Sequence, residues 1–475
     1  MNQYFILKPK NLNIESLVNK YKPNFDLKID YVYLIVYLVL FYGNKKNNSK
    51  QVCLSSKFLE KLIGKNYNKY IDFLLENYPV SGNILNGYRY TKGKPFSYKL
   101  TDYYFESGFE LYSITDNKLV NRVKNIFNKS INENIRTHYY YLMKYFNNKK
   151  LTVFNPFEAI LKTNDLVTEK RLRNVLNLID FLNREHKLTL KTATDGRVHS
   201  NLTRLSKKSR EYLQYDGEFL AEIDISSSVP YFLYLSMNCY LNNNLTFLNK
   251  FQYTNLYTYM FDEVVGDIDK LELQQFGSSI LKGRLYEQIS EIIFSQAFYE
   301  SKGVDFNKVI KYYQHEFKDM FGYYFDGEME DLKKFSKKRV LAMLFANTSL
   351  YKFEQLVFKE LFPSVLKFIN EFKDVQQYKD CEDIIWTKKE SHKKLSYFCF
   401  QFEAKVMIDN IARDFDKLHK GKAPVFTIHD CILTTSSYAD ELREFMKSRF
   451  VQLFGVAPNL TLKHSEFNNA YRNVS

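Results

Sequence analysis

Cysteine is scarce and scattered. The 475-residue chain has five, Cys53, Cys239, Cys381, Cys399 and Cys431, none at CxxC spacing. That pattern argues against a disulfide framework or a zinc site, and a reducing cytoplasm is the expected setting. Long apolar runs are also missing. Residues 1–20 hold no sustained apolar core, so no secretory signal is expected. The most apolar run, residues 31–42, is too short to span a bilayer and reads as a buried helix. No membrane partner is expected. Before residue 190 there is no cluster of acids resembling a second metal site, so no proofreading exonuclease is expected. Acids are outnumbered overall: 54 Asp and Glu stand against 68 Lys and Arg, a formal charge of +14. The excess suits a polyanionic partner, because lysine and arginine neutralise phosphates and release counterions. A biased genome composition produces the same excess. Aromatic residues are abundant, at 17%, with 38 Tyr and 41 Phe.

Two stretches place a carboxylate at the end of an apolar, strand-like run. In residues 219–230 Asp224 is followed by Ile225, by Ser226, Ser227 and Ser228, and then by Pro230, after which residues 231–241 read as a buried helix. In residues 423–435 two β-rich runs flank His429 and Asp430, the pattern of a hairpin with Asp430 at its bend. Two such aspartates could hold two divalent cations roughly 3.5–4 Å apart for in-line phosphoryl transfer. Taken singly, each reads as readily as a turn residue.

In chain order, residues 1–27 read as polar and irregular. Asp30 is a candidate cap for a helix to Tyr42, stopped by Gly43 and Asn44. Leu54, Ser55 and Ser56 cap a helix over 57–63, a turn at 64–66 leads into another over 67–77, and Pro79 ends it. Two alternating strands near 88–90 and 96–101 flank a turn made by Lys92, Gly93 and Lys94. Helix, helix–turn–helix and basic hairpin, in that order, resemble the winged-helix DNA-binding domains of plasmid replication initiators. The resemblance implies a helix in the major groove and Lys92 and Lys94 on phosphates; a packing or protein-contact module has the same pattern. Residues 113–190 carry helical periodicity over 119–127, 131–146, 156–161 and 168–183, with Lys170, Arg171 and Arg173 on an outer face. Such a region fits a phosphate-contacting thumb or an ordinary solvated surface.

From residue 192 the motifs accumulate. Asp195, Gly196, Arg197 and Ser200 come first, then Asp224 to Ser228. Lys333, Lys337, Leu341 and Phe345 share one helical face. Gln401 follows, then His429 and Asp430. This order resembles family A polymerases, the DNA polymerase I type enzymes, and their relatives the single-subunit phage-type RNA polymerases. The resemblance covers about residues 190–475. It implies that Asp224 and Asp430 bind two Mg²⁺ ions, or Mn²⁺ in their place, with help from the Ile225 carbonyl. Arg197, Gln401 and His429 would contact the primer–template. Lys333 and Lys337 would hold a triphosphate, where fixed cations meet developing charge. Leu341 and Phe345 would lie near the incoming base, and Val229 near its sugar. The chain departs from the family at several places: Lys333 where Arg is common, Leu341 where an aromatic is common, Val229 at the sugar position, no glycine after Phe345, and Phe402 and Glu403 in place of small residues. Glu403 reads equally as a core-edge residue, a third acid or a salt-bridge partner. Residues 281–287 read as a nucleic-acid contact or as a helix broken at Gly283.

The expected fold is α+β: a right-hand polymerase preceded by a winged-helix-like domain over 1–110. A helical thumb-like region would span 111–190. The palm would take 191–238 and 395–475, with fingers inserted at about 239–394. The expected activity is a cytoplasmic DNA polymerase acting on a DNA primer–template with dNTPs, for a plasmid, phage or other mobile element. Protein partners are not indicated. The alternatives are a single-subunit RNA polymerase, a DNA-binding initiator with an idle catalytic half, or a metal-dependent nuclease, the last leaving the basic helix without a task.

Overall fold

The computed structural model describes residues 3–45, 51–79, 82–88, 96–127, 133–147, 149–163, 169–183, 188–191, 194–242, 268–374 and 392–468. Lys92 and Lys94 lie outside the described residues. The protein mixes helices with short antiparallel strands. It divides into two compact units, each made of separated stretches. One comprises Met1–Thr189, His199–Leu220 and His464–Ser475, the other Leu190–Val198 and Ala221–Lys463.

The first unit is built on the helix Ile29–Lys45. Val32, Leu34, Ile35, Val36 and Leu38 are fully buried, so this helix is apolar all round rather than striped. No described helix is long and apolar enough to cross a membrane. A strand Val52–Cys53, helices Ser56–Leu62 and Tyr67–Leu75, and strands Leu85–Tyr88 and Ser97–Leu100 follow. The three strands pair antiparallel with Ser97–Leu100 in the centre. Of the expected cap residues 54–56 it is Ser55 that caps the helix, accepting from the Phe58 N–H at 3.2 Å.

Four expectations for this unit are corrected. The first long helix is not stopped by Gly43 and Asn44 but runs through them to Lys45. The N-terminal residues are ordered: Tyr4–Pro9 is a strand paired with Phe109–Ile114, and Ile14–Tyr21 is a helix capped by Asn13. Ile6, Leu7, Leu12 and Ile14 are fully buried there, which is the burial that offsets the ordering cost. Asp30 is not a cap. It lies inside its helix and accepts from the N–H groups of Thr115 (3.0 Å) and Asp116 (2.9 Å) and from the Tyr112 hydroxyl (2.7 Å). The helix expected over 131–146 is two, Glu133–His138 and Tyr140–Asn147, interrupted at Tyr139.

The strand Glu218–Ile225 starts in the first unit, where Glu218 and Phe219 pair with Leu213–Tyr215, and ends in the second. In the second unit its residues 222–225 pair with Leu460–Lys463, and the hairpin Phe426–Ile428 and Cys431–Thr435 joins the same sheet through its second strand. The helix Ser228–Leu241 packs on Lys393–Ala404. Phe232 meets Phe402 edge-on at 5.3 Å, and Tyr231 meets Phe450 of the helix Ala439–Phe454 at 5.7 Å. Such pairs add roughly 0.5–1.5 kcal/mol each beyond area burial. Lys393–Ala404 runs on into a π-helical stretch, Lys405–Ala412.

Around the basic helix Met329–Phe345 lie further helices, including Lys270–Leu281, Leu285–Ile293, Phe306–Phe321 and Lys352–Leu361. Gly283, at φ +70°, breaks the chain between the first two of these, as one reading of that segment has it. The run Lys337, Lys338, Arg339 is not uniformly solvated. Arg339 turns inward, where Nε donates to Glu354 Oε1 at 2.7 Å, the two Nη atoms meet Glu316 and the Tyr312 hydroxyl, and the guanidinium lies 4.8 Å from the Tyr351 ring.

Candidate active site

Strand alternation sets the position of Asp224. Ala221, Ile223 and Ile225 are buried in the sheet, so Glu222 and Asp224 project from its other face and are half-buried. Asp224 pairs in register with Thr461, one residue before its strand ends. The chain then turns sharply. The Ser226 N–H donates to Asn459 O at 2.9 Å, and Ser227 takes a left-handed conformation, φ +56°, before the helix Ser228–Leu241 begins.

The second carboxylate is brought alongside by a tight hairpin. Ile428 pairs with Cys431, leaving His429 and Asp430 as the two-residue loop, and His429 has φ +52°. A side-chain-bearing residue in that region costs on the order of 1–3 kcal/mol; His429 adjoins Asp430, and Ser227 lies three residues after Asp224. The Ile225 N–H donates to the Asp430 carbonyl at 3.2 Å. Two carboxylates from distant parts of the sequence thus stand on adjoining backbone, both half-buried.

Their chemistry fits magnesium, a hard cation usually bound by one or two carboxylates, waters and substrate phosphates. Among the described residues no three His, Cys, Asp or Glu side chains are grouped closely enough to hold a metal by themselves. A site completed by substrate is the kind the two aspartates can make.

On one side of this pair lies a buried polar cluster. Arg197 follows a turn at Gly196, whose φ is +64° and whose added Cβ would meet the Gln401 backbone at 3.4 Å. Gln401 is buried, and its amide nitrogen donates to Thr194 O at 3.0 Å, holding the same turn. Arg197 Nε donates to Glu403 Oε1 at 2.9 Å and Nη2 donates to that same oxygen. Ser228 Oγ donates to Glu403 Oε2 at 2.7 Å. Arg197 Nη1 lies 3.2 Å from His429 Nδ1. The guanidinium is 4.3 Å from the centre of the Phe400 ring, which packs 5.3 Å from Phe345. Burial pushes the Glu403 carboxyl up to about 7, with the Asp430 charge adding to the rise and Arg197 and Ser228 opposing it.

The basic helix supplies another set of contacts. Lys333 pairs with Glu287 at 2.9 Å, and Glu287 also lies 3.7 Å from Arg284. Lys337 is exposed, 5.9 Å from the centre of the Tyr286 ring. The Tyr286 phenol lies beside Ser227, and burial raises its pKa. Leu341, Phe345 and Val229 are half-buried.

Of the candidates singled out in the sequence, Arg197, Gln401, His429, Asp224, Ile225 and Asp430 are linked by these contacts. Phe345 joins them through Phe400. Lys333 and Lys337 meet Glu287 and Tyr286, and Tyr286 in turn meets Ser227. Sequence reasoning missed Phe400 and Arg339, and had Tyr286 only as part of the segment 281–287. Arg339 had a signal: two positions from Lys337, it falls on the opposite helical face. Phe400 had none beyond being aromatic. Glu403 is resolved as a buried salt-bridge partner.

No protein-family model and no curated protein matches the chain. Among solved structures, the chain is similar to the POL domain of Pol1 from M. smegmatis in complex with DNA primer-template and dNTP. The match has a TM-score of 0.35 and 12% identity and covers 72% of this chain; the chain spans only 62% of that one.

Proposed function

We propose that the chain is a template-directed DNA polymerase, transferring a nucleotidyl group from a dNTP to a primer 3′-hydroxyl. The observation that carries this is the hydrogen bond from the Ile225 N–H to the Asp430 carbonyl, which joins the backbone beside Asp224 to that of Asp430, with Arg197 meeting His429 next to it. In the reaction the primer oxygen bonds to the α-phosphorus and the bond to pyrophosphate breaks. Asp224 and Asp430, with the Ile225 carbonyl, would hold divalent cations, Mg²⁺ or Mn²⁺, which when bound activate the hydroxyl and stabilise the leaving oxygen.

The remaining residues bind and orient. Arg197 and His429 face the primer–template, with Gln401 acting through the turn it fixes. Lys333 and Lys337 receive the triphosphate, Lys333 exchanging Glu287 for phosphate oxygens. Phe345 and Leu341 border the incoming base, and Val229 crowds its sugar. In the first unit, the succession helix, strand, two helices and two strands around a three-stranded sheet supports a winged-helix role for residues 28–105, with Lys92 and Lys94 on duplex phosphates. A polymerase carrying such a module and no proofreading exonuclease suits replication of a plasmid, phage or other mobile element in the cytoplasm.

Primer extension on a defined template with labelled dNTPs or rNTPs tests this directly. Extension with dNTPs that disappears in Asp224→Ala and in Asp430→Ala, while both variants fold and bind template, is expected. Preference for rNTPs would make the protein an RNA polymerase. Extension by either variant at the wild-type rate would remove the assignment.

A further inference from the structure

Glu403 is an acid buried on its helix with Phe398, Phe402 and Ala404 among its buried neighbours. A buried carboxylate persists only when its oxygens are matched by donors. Here the donors come from two directions. Oε1 takes Nε and Nη2 of Arg197, and Oε2 takes the Ser228 hydroxyl, at the first residue of the helix that follows the Asp224 turn.

The arginine passes this constraint on. A guanidinium has five N–H donors and no acceptor. The contact between Nη1 and His429 Nδ1 is therefore a hydrogen bond only if Nδ1 carries the lone pair. That leaves the ring proton on Nε2. Phe400 lies against the guanidinium and keeps it from swinging away.

We propose that Glu403 is the positioning residue of this site: it fixes Arg197, through Arg197 it selects the Nε2–H tautomer of His429, and through Ser228 it anchors the helix start behind Asp224. The function of this device rests on the polymerase reading. Arg197 and the His429 N–H are then held as preset donors for acceptors at the primer end, and the grip on the primer is tied to the turn that carries one of the two aspartates.

The test uses the full chain with Glu403→Gln, Arg197→Met and the double variant. The amide keeps the shape but loses the charge and one acceptor. Glu403→Gln should lower kcat/KM for primer–template by about 10- to 100-fold, the range for a hydrogen bond to a charged group, while KM for dNTP moves less than about threefold. Losses should not multiply: the double variant should match Arg197→Met alone, as for residues acting as one unit. Ring ¹⁵N spectra should show His429 as Nε2–H in the wild type and as a mixture of tautomers in Glu403→Gln and Arg197→Met. A merely structural acid would leave that signature unchanged.

If Glu403→Gln does not fold, the double variant decides, because it leaves neither charge unpaired: further loss beyond Arg197→Met overturns the proposal, equality supports it. Wild-type kcat/KM in Glu403→Gln, multiplying losses, or an unchanged tautomer in Arg197→Met would each overturn it. Failure of the wild type to extend any primer would instead remove the polymerase assignment, and the His429 spectra would still test the positioning role.

Discussion

Replacing Arg339 with methionine should destabilise the second unit severely. Arg339 is 6% exposed at its side chain and Glu354 only 1%, so their pair is closed to solvent. One Glu354 oxygen already has no hydrogen-bond partner among the described residues. Methionine fills much of the same space but removes every donor, leaving a buried carboxylate with neither charge nor hydrogen-bond compensation. Breaking one side of such a pair costs about 3–5 kcal/mol. At roughly 2–4 °C per kcal/mol for a domain of this size, the transition of the second unit should fall by roughly 6–20 °C. Glu316 is a third exposed and contributes far less, because water screens it. The companion variant Arg339→Met with Glu354→Met removes both charges and should recover most of the loss, since apolar replacements of buried pairs are often neutral or better. Calorimetry of the full chain, with limited proteolysis to assign the transition to residues 268–374, provides the measurement. Melting of Arg339→Met within a degree of wild type would refute the buried-pair account. So would a double variant that loses as much as its two parents combined. Because the same helix carries Lys333 and Lys337, the single variant should also raise KM for dNTP.

Val229→Gly should raise rNTP use with little loss of dNTP use, the wild-type preference being about ten- to two-hundred-fold; competition assays under one metal and template condition measure it. Replacing Lys92 and Lys94 together with alanine should weaken duplex binding of the full chain and make the slope of log K against log salt shallower by about two, read by fluorescence anisotropy across a salt series. Glu403 gives a pH signature. Its folded pKa, about 7, lies above its ordinary value of 4.5. The stability it contributes is therefore present below about pH 4.5 and lost as pH rises through about 7, a swing on the order of 3 kcal/mol. Wild type should lose stability over that window relative to Glu403→Gln, and parallel denaturation curves for the two would refute the assignment.

The local elements around the aspartates were legible because their signals are local. An apolar run marks the strand ending near Asp224, two β-rich runs around His429 and Asp430 mark the hairpin, and spacings of four mark the helix that carries Lys333 to Phe345. What the sequence hid depends on partners far along the chain. The strand Tyr4–Pro9 is short, carries Lys8 and ends in proline, and its partner Phe109–Ile114 lies about a hundred residues away. Asp30 has every feature of a cap, yet its carboxylate is taken by backbone at 115 and 116. Arg339 sits in a basic run that composition alone assigns to water. For Glu403 the alternatives could not be narrowed without knowing that Arg197 folds against it.

The left-handed residues Ser227 and His429 have a consequence for protein engineering. Each bears a side chain where glycine would be at ease, so glycine at either position relieves backbone strain, partly offset by a more flexible unfolded chain. Selection for heat resistance alone would therefore favour glycine at these two positions, where the relief of strain comes at the expense of the His429–Arg197 and Ser227–Tyr286 contacts. A library ranked by melting temperature should enrich glycine at 227 and 429 among its winners and find them among its poorest catalysts. Thermal robustness and chemical competence are opposed here at two backbone angles, and any attempt to harden this protein should leave both untouched.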